Sequence, residues 1–381
     1  MRRDTVTELA FALVAQGTLL ALILVAMESR YPLANRFLAG LLIALSLPLL
    51  ARVLGTRIER GHALLGALNN TAFLIGPFFY FYTRALVNRD FAPRPLHLLH
   101  VVPTLATVVV TLSTPGLDRP TTELGLVRIV ALLGLGNAIS LITYAIAALR
   151  QLARYRRGLL DRYSAIERIS LDWLKALALI VLVFGLAIAA LNCVRFSGGL
   201  PSGANALIVV PFSLVVFYAV AILGFRQSSV LLIGVRPEPA LAVESAAATA
   251  AAEPEEPAKY ERSGLDDERA GRIWSRLEQL MQTEPLYLDP ELQLATLAER
   301  LHVSPQTLSE VLGRSVGARF YDYINRLRVE RAKQLLHDPA HAASSVLDIA
   351  LAAGFNTKST FNKYFKQATG LTPTAFRQTK A

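Results

Sequence analysis

The chain has 381 residues, enough for two or three domains. Hydrophobic residues make up 53% of it and charged ones only 18%, where an ordinary soluble protein has about a quarter charged; this excludes a plain water-soluble globule as the first expectation and puts a large membrane portion in its place. The formal charge of +10 suggests cytoplasmic loops first and nucleic acid second, and the lone Cys193 excludes an internal disulfide framework and any cysteine-based zinc site.

Residues 1–228 carry seven long apolar runs, at about 6–28, 35–54, 63–86, 96–113, 124–149, 170–194 and 204–225. Each approaches or exceeds the roughly 20 residues with which a helix crosses about 30 Å of hydrocarbon. Helices buried in a soluble protein would mostly keep a polar face, and these runs have none. The first run is too long for the core of a signal peptide, and no small-residue cleavage site follows Met27, so it is expected to be a retained span.

Arginine and lysine set the orientation. The connection after the fifth run holds Arg150, Arg154, Arg156, Arg157, Arg162 and Arg168, which makes it cytoplasmic by the positive-inside rule. Alternation then puts the N-terminus outside and everything after Arg226 inside. The connection with Arg52, Arg57 and Arg60 conflicts with this topology, which would place it outside.

Within the runs, Arg128, Asp172 and Lys175 lie close enough to span ends to snorkel toward the headgroups. Asn69, Asn70, Asn137 and Asn192 suit hydrogen bonds between helices, and Gly134 with Gly136 suits close helix packing rather than a dinucleotide fingerprint. Pro77, Pro103 and Pro211 are expected to kink their helices. His97 and His100 stand one turn apart near a membrane surface, with no carboxylate or cysteine nearby to complete a metal site. Neither a catalytic constellation nor a cofactor motif emerges, so the chain is expected not to be an enzyme.

Residues 229–264 change character. Glu244 to Pro257 is rich in Ala, Glu and Pro and has almost nothing to bury, so it reads as a flexible linker. About 30 residues of coil would span roughly 30 Å. Residues 265–381 then form a soluble all-α domain, opened by a helix over about Asp266–Met281 with Ile273, Trp274, Leu277 and Leu280 on one face.

Two helix-turn-helix signals follow. The first runs from Ala295 to Ser309: it breaks at Leu301-His302-Val303 and restarts at Ser304-Pro305, a good N-cap followed by a proline suited to the first helical position. The second runs from Ser345 to Phe361. Ser345 with Asp348 forms a capping box, Gly354 supplies a left-handed corner, and Asn356 is expected to cap the next helix. Between them, Tyr321–Leu336 repeats Ile324, Leu327, Ala332, Leu335 and Leu336 at helical spacing.

The run Ala350–Lys366, followed by Gly370–Arg377, resembles the C-terminal signature of AraC/XylS-type transcription regulators, and Arg326–Leu336 is similar to their linker helix. The likeness implies a seven-helix DNA-binding domain with two motifs. It departs from the family at Leu312-Gly313, where many relatives carry Phe and a basic residue, leaving Arg314 and Arg319 to compensate.

In this reading the second helix of each motif enters the major groove. The expected DNA-facing set is Ser304, Gln306, Thr307, Glu310 and Arg314 in the first, and Asn356, Thr357, Lys358, Ser359, Asn362, Lys363 and Lys366 in the second. Gln306 and Asn362 carry the paired donor and acceptor that read adenine, while Lys358 or Lys363 reaches guanine or phosphate. The whole is an all-α chain: a seven-helix transmembrane bundle of the bacterial inner membrane, with its DNA-binding domain in the cytoplasm. Its expected partners are promoter DNA, the lipid bilayer and a second copy when active, with RNA polymerase a further candidate and the ligand open. A transporter or membrane enzyme with an attached autoregulatory domain is the alternative.

Overall fold

The computed structural model describes residues 3–29, 31–55, 63–88, 90–114, 124–167, 169–198, 210–219 and 266–379. They are helical throughout, apart from connecting turns and an isolated antiparallel bridge between Tyr163 and Gln293. Two compact units form. One comprises Met1–Arg154 with Leu171–Ala242, the other Tyr155–Ser170 with Val243–Ala381. The expected linker at 229–264 and the basic residues Arg57 and Arg60 lie outside the described residues.

The first unit follows the apolar runs. Its helices are α1 (Arg3–Ala26), α2 (Pro32–Leu54), α3 (Ala63–Asn70), α4 (Ile75–Val87), α5 (Val102–Ser113), α6 (Leu124–Arg162), α7 (Asp172–Phe196) and α8 (Val210–Ala219). Among the described residues, six helical stretches are long and apolar enough to cross a membrane: Thr7–Ala26, Pro32–Leu54, Leu64–Val87, Pro95–Ser113, Leu124–Arg162 and Asp172–Phe196. The seventh expected run is described only as the ten residues of α8.

The third run is not one uniform helix. A 3-10 turn at Thr71–Leu74 separates α3 from α4 just before Pro77, which has no N–H to continue an α-helical ladder through that turn. Pro103 does not kink a helix. It sits in the first turn of α5, after the 3-10 segment Pro95–Val101.

Leu13, Leu42, Phe79, Leu141, Leu177 and Phe217 centre the core of this unit, while Phe11, Leu22, Leu98, Ile139 and Val183 are exposed. Small residues let α6 and α7 approach closely. A Cβ added at Gly134 would run into Asn192 Oδ1, and one at Gly185 would lie 2.9 Å from Ile142. Asn70 Nδ2 donates to Thr107 O at 3.1 Å and to Thr111 Oγ1 at 2.8 Å, tying α3 to α5 as expected of an interhelical amide.

Among the described residues the second unit holds seven further α-helices: α9 (Asp267–Thr283), α10 (Leu294–Arg300), α11 (Pro305–Val316), α12 (Phe320–His337), α13 (Val346–Ala352), α14 (Lys358–Thr369) and α15 (Pro373–Gln378). Asp266 caps α9 by accepting from Arg269 N, and the helix buries Ala270, Ile273, Leu277 and Met281 at helical spacing. Two cores result. One gathers α9–α11 and the start of α12 around Leu277, Leu297, Leu308 and Ile324. The other gathers the rest of α12 with α13 and α14 around Ala332, Ile349, Phe355, Phe361 and Phe365. Each fully buried phenylalanine there contributes about 1.5–3 kcal/mol of transfer free energy, so α12 is held to both halves by burial rather than by loops.

Candidate nucleic-acid interface

Each motif is a short helix, a tight corner and a longer helix whose first turn is capped. In the first, His302 takes the left-handed corner at φ 55, and Ser304 Oγ accepts from Thr307 N at 3.1 Å to start α11. In the second, Ser345 and Asp348 close a reciprocal capping box on α13, and Gly354 turns the corner at φ +89. The cap of α14 is Thr357, whose Oγ1 accepts from Thr360 N at 3.2 Å. Asn356 does not cap. Its Nδ2 reaches Pro290 O at 3.4 Å and ties the corner to the segment before α10.

Helix α14 presents Lys358, Ser359, Asn362, Lys363 and Lys366 on one exposed stripe, opposite Phe361 and Phe365. Its three lysines make this face cationic, and Lys363 Nζ lies 5.8 Å from the centre of the Tyr364 ring. On α11, Ser304 and Gln306 are exposed and Thr307 is half-buried. Glu310 corrects the expected set. Only 8% exposed, it pairs with Arg314 Nη2 at 2.7 Å and does not face outward. Arg314 also lies 3.7 Å from Asp267 on α9, so it bridges two helices of the first half. The exposed face at the start of α11 is therefore neutral and that of α14 basic.

A family model described as a helix-turn-helix domain matches residues 297–379. Those residues are an AraC-type helix-turn-helix domain. The chain is 31% identical to the regulatory protein PocR of Salmonella typhimurium over 104 residues, which are 27% of this chain and 33% of that protein. It is 29% identical to an uncharacterized HTH-type transcriptional regulator of Staphylococcus aureus over 116 residues, 30% of this chain and 14% of that one. It thus covers a third or less of the length of these relatives. Among solved structures, the C-terminal domain of the two-component response regulator yesN from Fusobacterium nucleatum is 27% identical and matches 28% of this chain and 98% of its own, with a TM-score of 0.25. The C-terminal domain of AraT, a response regulator from Geobacillus stearothermophilus, is 31% identical over 31% of this chain and 88% of its own, with a TM-score of 0.24.

One residue of the helix-turn-helix domain escapes a reading by motif. Arg328 is buried in the middle of α12, and burial pulls its guanidinium down to about 10 while Glu167 and Asp289 pull the other way. A signal for it exists. Arg328 stands four residues after Ile324 and four before Ala332, on the stripe that α12 buries. A second pattern, Glu310 four residues before Arg314, marks the helical ion pair that these two side chains form.

Proposed function

We propose that the protein is a membrane-moored, sequence-specific transcription regulator of the bacterial inner membrane. Its apolar helices anchor it and receive a signal, and its helix-turn-helix domain reads a promoter across two adjacent major-groove turns. The observation that carries this reading is one chain with both parts: among the described residues, six helical stretches long and apolar enough to cross a bilayer, and two capped helices with exposed polar faces. Lys358, Ser359, Asn362, Lys363 and Lys366 supply phosphate and base contacts from α14, while Ser304 and Gln306 supply neutral ones from α11.

Asp and Glu nearly balance Lys and Arg after residue 265, so sequence-independent affinity is modest. Confinement to a membrane and pairing with a second copy raise the effective concentration and offset that weakness. The test is fractionation of the intact chain together with genome-wide mapping of the DNA it binds. The reading expects the chain in the inner-membrane fraction and a discrete set of bound promoters. A freely soluble chain, or one that enriches no duplex DNA, defeats it.

A further inference from the structure

The C-terminal end of α6 and the chain that joins it to α7 do not belong to the compact unit of the membrane-type helices they connect. Residues Tyr155–Ser170 group with the helix-turn-helix domain, about 130 residues further along the chain. Leu159 and Ile166 are buried against Tyr321 of α12, with Tyr364 of α14 packed beside them. Tyr163 forms its antiparallel bridge with Gln293, and Ser164 N donates to Leu292 O at 3.1 Å, just before α10. Asp161 lies 3.7 Å from Arg319 at the start of α12. Glu167 Oε1 accepts from Tyr321 Oη at 3.0 Å and from Thr360 Oγ1, in the first turn of α14, at 2.7 Å.

Arg328 shows how far this segment is built into the domain. Its guanidinium donates to Tyr287 O at 2.8 Å and Asp289 O at 2.8 Å, and also to Ser164 O at 2.9 Å and Ser164 Oγ at 3.0 Å. Ser164 therefore supplies two of the acceptors of a buried cation. Withdrawing them strands a charge in a low-dielectric site, which is strongly unfavourable.

We propose that Leu159–Glu167 is a strap that fixes the two helix-turn-helix motifs relative to each other, and that its docked state is the one that reads DNA. The segment touches the first half at Leu292 and Gln293, the shared helix α12 at Tyr321 and Arg328, and the second half at Thr360. With the strap docked, Ser304, Gln306, Lys358, Ser359, Asn362, Lys363 and Lys366 remain accessible. The strap holds the motifs without covering what they present. It begins in the last turn of α6 and leads on to α7, so a ligand that changes how these two helices pack biases docking through the chain itself, by its differential affinity for the two states.

This inference rests on the DNA-binding reading above, and the experiment separates the two. The probe is a duplex selected from a random pool by the intact wild-type protein in lipid nanodiscs, compared with the same duplex carrying about five extra base pairs, roughly half a turn, between its half-sites. Two variants are made in a Cys193→Ser background. Tyr163→Cys with Gln293→Cys replaces the two residues of the antiparallel bridge, where a disulfide locks the strap. Ile166→Ala with Glu167→Ala releases it, and the release is verified by slower cross-linking when the two cysteines are added.

The oxidised, locked protein should keep the wild-type affinity and the wild-type rejection of the lengthened site. The released protein should bind the uninterrupted site about tenfold more weakly and discriminate against the insertion less than about threefold. A locked protein that loses binding until reduced, a cysteine pair that never cross-links, or a released protein with wild-type discrimination overturns the proposal. Failure of the wild type to select any duplex would instead sink the DNA-binding reading on which it rests.

Discussion

Glu310 and Arg314 close an ion pair at 2.7 Å one turn apart on α11, with the carboxylate almost out of solvent. Arg314 continues to Asp267 at 3.7 Å, so the pair joins α11 to the N-terminus of α9. The pair clamps two helices of the first half together. Glu310→Gln should therefore lower the stability of the intact protein by about 1–2 kcal/mol, near the lower end for a hydrogen bond to a charged group. Base preference should be unchanged. A change in the selected sequence without a fall in melting temperature would return Glu310 to the reading surface.

The lysines of α14 make the opposite prediction. Lys358 and Lys363 are exposed on the stripe that faces away from Phe361 and Phe365. Replacing both by Ala should leave folding intact and weaken binding to all duplexes together. The slope of log affinity against log salt should become shallower by about 0.9 for each phosphate no longer neutralised. Fluorescence anisotropy over a salt series measures it, and an unchanged slope rules out this placement of the helix.

Local signals in the sequence translate well into structure, because a cap or corner is decided within four residues. Ser304, the Ser345–Asp348 box and Gly354 all stand where their spacing puts them. The first six apolar runs are likewise helical, with 3-10 turns at Thr71–Leu74 and Pro95–Val101 inside the third and fourth. Asn356 and Thr357 are adjacent and both are good N-caps, so spacing does not choose between them. The cap falls to Thr357 because Asn356 is engaged by Pro290, a residue 66 positions away. The docking of Ser164 and Glu167 is illegible for the same reason at larger scale. Their partners Arg328 and Thr360 lie 164 and 193 positions along the chain, and no periodicity reports on such a pairing.

The capping box of α13 gives a pH dependence. Hydrogen bonds from the Ser345 side chain and backbone hold the Asp348 carboxyl below its ordinary value of 3.8. Between the folded value and 3.8 the unfolded chain binds more protons. The stability from this interaction is thus fully present above the ordinary value and is lost as pH falls through the folded one. Asp348→Asn should be less stable than wild type at neutral pH, and the gap should narrow as the solution is acidified below about 4. Urea titrations at several pH values test this; a gap that is constant down to low pH means the box contributes nothing through its charge.

Gly354 carries the most severe single change. Its φ of +89 is a conformation that side-chain-bearing residues adopt only with strain, and a Cβ there would lie 2.7 Å from Tyr287 O and 2.9 Å from Leu288 Cα. Both neighbours are backbone, so neither can swing away as a side-chain tip would. The same backbone is fixed in turn by Arg328, whose Nε donates to Tyr287 O. Gly354→Ala must therefore either strain the corner or push the 3-10 turn at Leu286–Leu288 off Arg328, loosening the junction between the two halves. We expect a loss of about 2–4 kcal/mol, the sum of a left-handed penalty and backbone overlap. His302→Gly at the matching corner of the first motif should do the reverse, because His302 at φ 55 gains from losing its side chain. Paired melting curves decide it: destabilisation by both changes, or by neither, would mean that corner strain does not set the stability of these motifs.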